Sequence, residues 1–568
     1  VGRKGRDPGG YSRREFLQRA GAGLAATPLL GCGSSGSIGD ALGGATSPFL
    51  HGVASGDPLP ERVILWTRVT PPAGMEGDIP ATLTLAEDPE LRLNARTLAV
   101  TAIAERDWTI KHDADGLVPG QTYYYRFSAL GFDSPVGRTR TANQDGQRLR
   151  MAVVSCSNYP VGFFNAYRFI GERADLDVVL HLGDYLYEGG GAGGVGRAHE
   201  PRREILLLED YRQRHAQYKA DPDLQLAHRQ HPWITVWDDH ESTNNSRRDS
   251  AQNHTEGPIE EGGEGIWQVR KAIAQRAYDE WMPIRLPTPG DPNRIFRSFR
   301  FGPLLDLYML DTRLFDRDDE LGINDPGNFA PDRRLIGPEQ RDWLLSGLSA
   351  STATWKFLGQ QVMFGQLKVT PLPDVPLPEM LAAFPVPLVL ASGEGLTDVY
   401  LNPDQWDGYQ AERLAILDHL ADEAIDNTVV LTGDIHTSWV MDLTPDPENL
   451  LMYNPLTGEG SRGVEFVATS VTSTGLEELP AAPLVAAALP LLNPHMRYVE
   501  LTRRGYLLLD LTPEETVGEY WYVSTVAEPG GTQEFATAYA TLAGSNRVSR
   551  LPRLAPTPER EDAPPLAP

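Results

Sequence analysis

Apolar runs that stop abruptly at small or acidic residues punctuate this chain. Met151-Ala152-Val153-Val154 stops at Ser155-Cys156-Ser157-Asn158, and Val178-Val179-Leu180-His181-Leu182 stops at Gly183-Asp184-Tyr185-Leu186-Tyr187. Trp233-Ile234-Thr235-Val236-Trp237 stops at Asp238-Asp239-His240-Glu241, and Val429-Val430-Leu431 stops at Thr432-Gly433-Asp434-Ile435-His436. Such runs predict buried strands. Between them the apolar period lengthens. Residues 162–174, with Phe163, Phe164, Tyr167, Phe169 and Ile170 as the packing set, predict a helix, as do 210–220 and 266–281. Further strands are predicted at 304–310, 355–364, 464–468, 506–511 and 520–524. Strands alternating with helices, together with paired β runs, predict an α/β core (an α+β sandwich) of two packed sheets flanked by helices.

Residues 48–145 follow another rhythm. The stretch 62–69 reads as a strand, and 81–86 and 122–127 alternate apolar with polar. Pro71-Pro72, Asp88-Pro89 and Pro119-Gly120 supply turns between them. Short strands separated in this way predict a small β-sandwich with no chemistry of its own. The Pro-rich stretch 369–400 reads as a surface loop near the site, and the Gly-rich 189–196 as a rim of the pocket. Residues 551–568 are Pro-rich and predict disorder. The chain thus divides into a leader and tether over 1–47, a β-sandwich over 48–145, a main domain over 146–530 and a partly disordered tail over 531–568.

With 568 residues, 41% of them hydrophobic, the chain has ample material for two domains. Its formal net charge of −26 argues against nucleic-acid binding through a general basic surface. A locally positive site stays open, because bound metal ions bring their own charge. Two cysteines, Cys32 and Cys156, rule out a disulfide framework. No internal run is long and apolar enough for a transmembrane helix. Ser12-Arg13-Arg14-Glu15-Phe16-Leu17 has the twin-arginine pattern, followed by a modest apolar stretch over 20–30 broken by Pro28. Leu29-Leu30-Gly31-Cys32 resembles a lipobox, which makes Cys32 a lipidation site; the alternative is a signal segment ending in an incidental Cys. The expectation is a monomer exported folded by the twin-arginine translocase. It would be periplasmic or at the cell surface, anchored through Cys32 with the Gly/Ser run 31–44 as tether.

One Gly-Asp after a strand is ordinary turn chemistry. Four strand ends in sequence order, each carrying a metal-competent side chain, point to a metal cluster, because open α/β folds bind where neighbouring strands end. Gly183-Asp184-x-x-Tyr187, Asp238-Asp239-His240-Glu241 and Gly433-Asp434-x-His436 resemble the calcineurin-like metallophosphoesterase signature and, within it, the PhoD-like alkaline phosphatases. The segments from His51 to Pro58 and from Val467 to Thr474, and Asn493-Pro494-His495, agree, so the resemblance covers about 48–525. It implies a two-sheet metallophosphoesterase core, an immunoglobulin-like N-terminal domain, and one iron with one or two calcium ions.

Hydrolysis of a phosphate ester needs a nucleophile near neutral pH, neutralised phosphate oxygens and a stabilised leaving group, and paired metals serve the first two needs. The resemblance makes Asp184 the bridging ligand and a catalytic residue. The general signature opens with Asp-x-His, whereas this chain has Ser155-Cys156-Ser157, the departure that PhoD-like enzymes make. A Cys156 thiolate and a Tyr187 phenolate, with His436, favour Fe³⁺. Asp184, Asp239, Asp434 and Asn244 form an oxygen set that suits Ca²⁺. His240 matches the family's catalytic His beside the leaving group. Alternatives stay open: Cys156 as a core thiol, Tyr185 in place of Tyr187, Asn245 in place of Asn244. Glu241 would orient its neighbours and His181 would pack beneath the turn. Arg247 and Arg248 would bind phosphate or stay solvated. The expected function is an exported, metal-dependent phosphatase hydrolysing phosphate monoesters or diesters by attack of a metal-bound hydroxide. The rivals are a phosphodiesterase of teichoic-acid or phospholipid headgroups and a non-catalytic exported metal-binding protein.

Overall fold

The computed structural model describes residues 47–323, 325–369 and 399–568. The twin-arginine and Cys32 segments, and most of the loop expected over 369–400, lie outside the described residues. Two large sheets share one core. The first runs Gln533–Leu542, Glu515–Val523, Gly505–Leu511, Leu149–Val154, Val178–His181, Pro232–Thr235, Val53–Leu59, Arg62–Arg68, Thr109–Ala114. The second runs Arg297–Phe301, Leu305–Met309, Trp355–Gly359, Thr428–Thr432, Gly463–Val467, Ser438–Leu443, Met496–Glu500. Met151, Val153 and Leu507 of the first sheet pack in one cluster with Leu307, Phe357, Leu431 and Phe466 of the second. Helices such as Leu208–Lys219, Trp267–Trp281, Gly337–Ala350 and Gln410–Asp422 flank them, so the fold is the expected α/β two-sheet sandwich. Among the described residues no helix is long and apolar enough to cross a membrane.

The continuous apolar runs are explained by burial on both faces: every residue of Val178–His181 and of Thr428–Thr432 is buried. Within the first sheet Leu149–Val154, Val178–His181 and Pro232–Thr235 are parallel. Within the second, Leu305–Met309, Trp355–Gly359, Thr428–Thr432 and Gly463–Val467 are parallel. The two sets meet beyond their C-terminal ends, where Ser155 bridges Ser470 and Val471 N–H donates to the Ser155 carbonyl at 3.0 Å. Loops from both sheets therefore open on one crevice.

Three expectations are corrected. The helix expected over 162–174 is limited to Asn165–Gly171: Phe164, with φ −80° and ψ 41°, is outside helical geometry, and Phe163 N–H donates to the Val526 carbonyl at 2.7 Å. The sandwich expected over 48–145 is not free-standing. Its five-stranded sheet packs Leu83, Leu85, Tyr125 and Phe127 onto Val63, Leu65 and Ile110, which belong to strands of the large first sheet. Val53–Leu59 pairs in parallel with Pro232–Thr235, and Gly56 is essential there, since a Cβ on it would fall 2.6 Å from the Trp233 carbonyl oxygen. The segment from His51 to Pro58 is thus a structural stitch, with buried Asp57 paired to Arg297 at 2.7 Å.

The third correction concerns the tail over 531–568. Gln533–Leu542 pairs along Glu515–Val523 as the sheet edge. Beyond it, Thr557 N–H donates to buried Glu519 at 2.6 Å, Arg560 pairs with buried Asp177, and Ala567 N–H donates to Gln230 at 2.8 Å. Buried Arg150 also donates to Thr557 Oγ1 at 3.2 Å. A Pro-rich composition hides this, because the tail is held by charges that the sheet buries and by its own backbone. Deleting residues 551–568 strips partners from Glu519, Asp177 and Arg150, and uncovering buried charges costs about 3 kcal/mol or more. The truncated protein is expected to unfold at lower temperature and lower denaturant concentration, as followed by circular dichroism; an unchanged midpoint would mean the tail is only draped on the surface.

Candidate metal centre

Four of the expected ligands leave their strands through sharp turns. Cys156 (φ 59°), Asp184 (φ 54°), Asp434 (φ 58°) and His436 (φ 63°) all sit in the left-handed region. Residues with a side chain reside there at a cost of about 1–3 kcal/mol each, and only where the surroundings enforce it. Part of the enforcement is close approach: Gly183 has φ +107°, and a Cβ on it would lie 2.4 Å from the Asp238 Cβ. The rest is Glu241. Its buried carboxylate accepts the N–H groups of Asp184 at 3.1 Å, Tyr185 at 2.7 Å and Asp238 at 2.8 Å, locking two ligand loops together. Burial still pushes Glu241 up to about 7 against these donors.

The turns deliver a cluster. Ligand atoms of Cys156, Asp184 and His436 lie within 4.8 Å of one another. The Tyr187 hydroxyl donates to Asp184 Oδ2 at 2.8 Å, sits 3.2 Å from His436 Nε2, and accepts from Ser473 Oγ at 2.6 Å. Asp238, Asp239 and Asp434 form a second group within 4.8 Å, and Asp184, Asp239 and His240 a third, so Asp184 and Asp239 link them. Tyr185 is turned away, its hydroxyl 2.9 Å from His228 Nε2 in the core. His181 packs beneath the turn, 3.0 Å from the Tyr167 hydroxyl, and burial pushes it down to about 3. Arg247 pairs with Asp319 at 3.3 Å, and Arg248 pairs with Asp249 and Asp316 at 2.6 Å, so both are half-buried in ion pairs.

Asn244 needs correction. Its side-chain amide donates to exposed Gln252 at 3.1 Å. Asn245 is the one turned inward: it is buried, donates its backbone N–H to Asp239 Oδ2 at 2.5 Å, and has an Oδ1 without a hydrogen-bond partner. Its φ of 48° turns the backbone inward, a feature invisible in the pair Asn244-Asn245. Three further residues escaped the sequence reading. Asp238 belongs to the Asp238-Asp239-His240-Glu241 motif, which by itself assigns it no role. Glu188 accepts from His240 Nδ1 at 2.6 Å, and the Tyr187 ring lies tilted against the His240 ring with centroids 4.1 Å apart. Arg313 contacts both Asp238 and Asp434. Arg313 follows the run 304–310, so the strand-end rule applied to Asp311-Thr312-Arg313 would have found it.

The electrostatics call for a cation. Burial, reinforced by Asp239, Glu241 and Asp434, drives the Asp184 carboxyl well above its usual range although His240 opposes it. Burial likewise lifts Asp238 despite Arg313. Burial and then Asp184 push up both the Cys156 thiol and the Tyr187 phenol. His240 goes the other way: burial opposes its charge, but Glu188, Asp184 and Asp239 raise it well above the ordinary imidazole. Without a metal this cluster would hold protons. Bound cations relieve the same repulsion and keep the ligands ionised. Asp238 Oδ2 is, like Asn245 Oδ1, a buried acceptor with no hydrogen-bond partner. A thiol, phenol and imidazole on one side and oxygens alone on the other fit two cations of different chemistry. Glu241→Gln places an amide against N–H groups that need an acceptor. Metal affinity is expected to fall about 10–100-fold, read by elemental analysis of protein dialysed at fixed metal concentration; full metal content would contradict the clamp.

The PhoD-like phosphatase family model matches residues 151–520, and the PhoD-like phosphatase N-terminal domain model matches residues 36–143. Alkaline phosphatase D of Bacillus subtilis (strain 168) is 35% identical over 550 residues, spanning 92% of this chain and 86% of that protein. A solved structure of PhoD aligns with a TM-score of 0.77 at 32% identity, over 92% of this chain and 95% of the other. A purple acid phosphatase from yellow lupin (Lupinus luteus) seeds aligns at 0.49 and 12% identity, over 86% and 73%, too distant to argue from. The non-catalytic alternative falls with these matches. Sequence, fold and strand-end cluster agree that this chain belongs to the PhoD-like phosphatase family and is a hydrolase of phosphate esters.

Proposed function

We propose that the chain is an exported phosphatase of phosphate monoesters or diesters that holds Fe³⁺ among Cys156, Asp184, Tyr187 and His436, and Ca²⁺ among Asp184, Asp239, Asp434 and Asn245. The observation that carries this is the convergence of a thiol, a carboxylate and an imidazole within 4.8 Å, with the Tyr187 hydroxyl in hydrogen-bond reach of two of them. Cations bound there supply positive charge for phosphate oxygens and acidify a water. The chain does the rest. Asp184 serves both groups. His240, its Nδ1 engaged by Glu188 at 2.6 Å, keeps Nε2 for the leaving-group oxygen and a proton to give it. Nearby hydroxyls are already committed: Ser473 donates to Tyr187 at 2.6 Å and Ser157 to the Tyr185 carbonyl at 2.9 Å. That favours direct displacement by water over a phosphorylated side chain.

The metal assignment is tested by colour and by chelation. A phenolate on Fe³⁺ gives a visible charge-transfer band, so Tyr187→Phe is expected to bleach the protein while its far-UV circular dichroism stays unchanged. EGTA is expected to abolish turnover of p-nitrophenyl phosphate and of its bis-ester, and added Ca²⁺ to restore it. A colourless, iron-free and fully active protein, or rescue by Zn²⁺ with Ca²⁺ inert, would overturn the assignment.

The export part of the proposal rests on Arg13-Arg14 and on Leu29-Leu30-Gly31-Cys32. Arg13→Lys combined with Arg14→Lys is expected to trap the precursor inside the cell. Cys32→Ala is expected to leave export intact and release an unlipidated, soluble product. Fractionation with lipid labelling reads both, and no change on Cys32→Ala would remove the anchor.

A further inference from the structure

We infer that Arg313 is a built-in cation of this centre, a positioning residue that sets calcium affinity by fixing Asp434 and Asp238. The inference rests on the two-metal reading above.

Arg313 has no exposed side-chain surface. Its backbone is fixed first. Asp311 Oδ1 accepts the N–H groups of Arg313 at 2.9 Å and Leu314 at 2.8 Å. Asp311 Oδ2 in turn accepts from Trp237 Nε1 at 3.0 Å, which ties this turn to the residue preceding Asp238. The guanidinium then spends all three nitrogens on carboxylates. Nε donates to Asp238 Oδ1 at 2.5 Å, Nη2 to Asp434 Oδ1 at 2.9 Å, and Nη1 to both oxygens of Asp404 at 3.0 Å. Asp404 is itself held by Arg317 Nη2 at 2.6 Å, and Gln405 Nε2 reaches Asp434 Oδ2 at 3.3 Å. An alternating chain of charge thus runs outward from the centre: Asp434, Arg313, Asp404, Arg317.

Two roles follow and one is excluded. The fork decides which oxygen of Asp238 is engaged, so that Oδ2 remains the buried acceptor without a hydrogen-bond partner. It also places one fixed positive charge between two buried carboxylates that would otherwise repel each other. Direct phosphate binding is excluded, since the guanidinium is enclosed and its nitrogens are occupied. Lysine cannot replace it, because a point charge does not span three carboxylates in fixed directions.

The test uses the full chain as Arg313→Lys and, separately, Asp404→Asn, which loosens the outer anchor without touching Asp434 or Asp238. Each protein is treated with EGTA, then titrated with Ca²⁺ by calorimetry, with the iron absorption band and the thermal midpoint as controls. Arg313→Lys is expected to weaken Ca²⁺ binding about 10–100-fold with the iron band retained. Asp404→Asn is expected to weaken it in the same direction but less, with a lowered midpoint but the far-UV circular dichroism of the folded protein retained. If Arg313→Lys fails to fold, Asp404→Asn alone decides. Unchanged Ca²⁺ affinity in the folded variants overturns the inference. So does unchanged Ca²⁺ affinity combined with weaker inhibition by inorganic phosphate, the pattern of a phosphate-binding arginine. A wild-type protein that takes up iron but no Ca²⁺ overturns the second metal site itself, an outcome visible before any variant is compared.

Discussion

Negative charge buried at one point is the constraint on which this structure depends. Asp184, Asp238, Asp239 and Cys156 are almost fully buried, and Asp434 nearly so. Left alone they would take up protons, as the upward pull of burial on Asp184, Asp238 and Cys156 shows. Positive charge must answer them. Part of it belongs to the chain, in the Arg313 guanidinium and in the His240 imidazole, which Glu188 pulls toward its charged form. The remainder is the place for bound cations, and it makes the same cluster a site of chemistry instead of a defect.

The fold meets this constraint by letting two sheets end at the same level. Parallel strands of each sheet open toward the Ser155–Ser470 bridge, and each contributes ligands from its own loops. Local strain at Cys156, Asp184, Asp434 and His436 is the cost of turning off the strands within a few residues. Glu241 offsets that cost by collecting N–H groups that these turns leave without ladder partners. Strain, clamp and charge are therefore one arrangement, and loosening any of them releases the others.

The parts legible in sequence were those governed by short-range pattern. Buried parallel strands announce themselves as continuous apolar runs, and a ligand two to four residues beyond such a run needs no knowledge of the rest of the chain. Tyr187 over Tyr185 was legible from the family spacing and stayed open on residue type alone. What escaped depends on contacts distant in sequence. Asn245 over Asn244 is decided by the backbone turn at φ 48°, which residue type does not encode. The pairing of Val53–Leu59 with Pro232–Thr235 turns an expected separate domain into a sheet edge, and nothing local signals it. The tail escapes because its last stretch is Pro-rich, whereas what holds that stretch includes the buried charges Asp177 and Glu519.

The same charge argument bears on how such a protein is assembled. A cluster whose ligands must lose protons to bind metal has its folding and its loading coupled, because the strained loops gain most when cations remove the repulsion between them. Arg313 and Glu241 weaken that coupling: both act on the ligand loops through contacts within the chain, before any ion arrives. A centre organised in this way presents a preformed, acidic, partly neutralised cradle. That is the state in which a chain proposed to cross a membrane already folded would best acquire its metals, since the loops need little rearrangement to close on them. Arg313 and Glu241 thus serve the metals in two ways, by orienting their ligands and by letting the cradle exist without them.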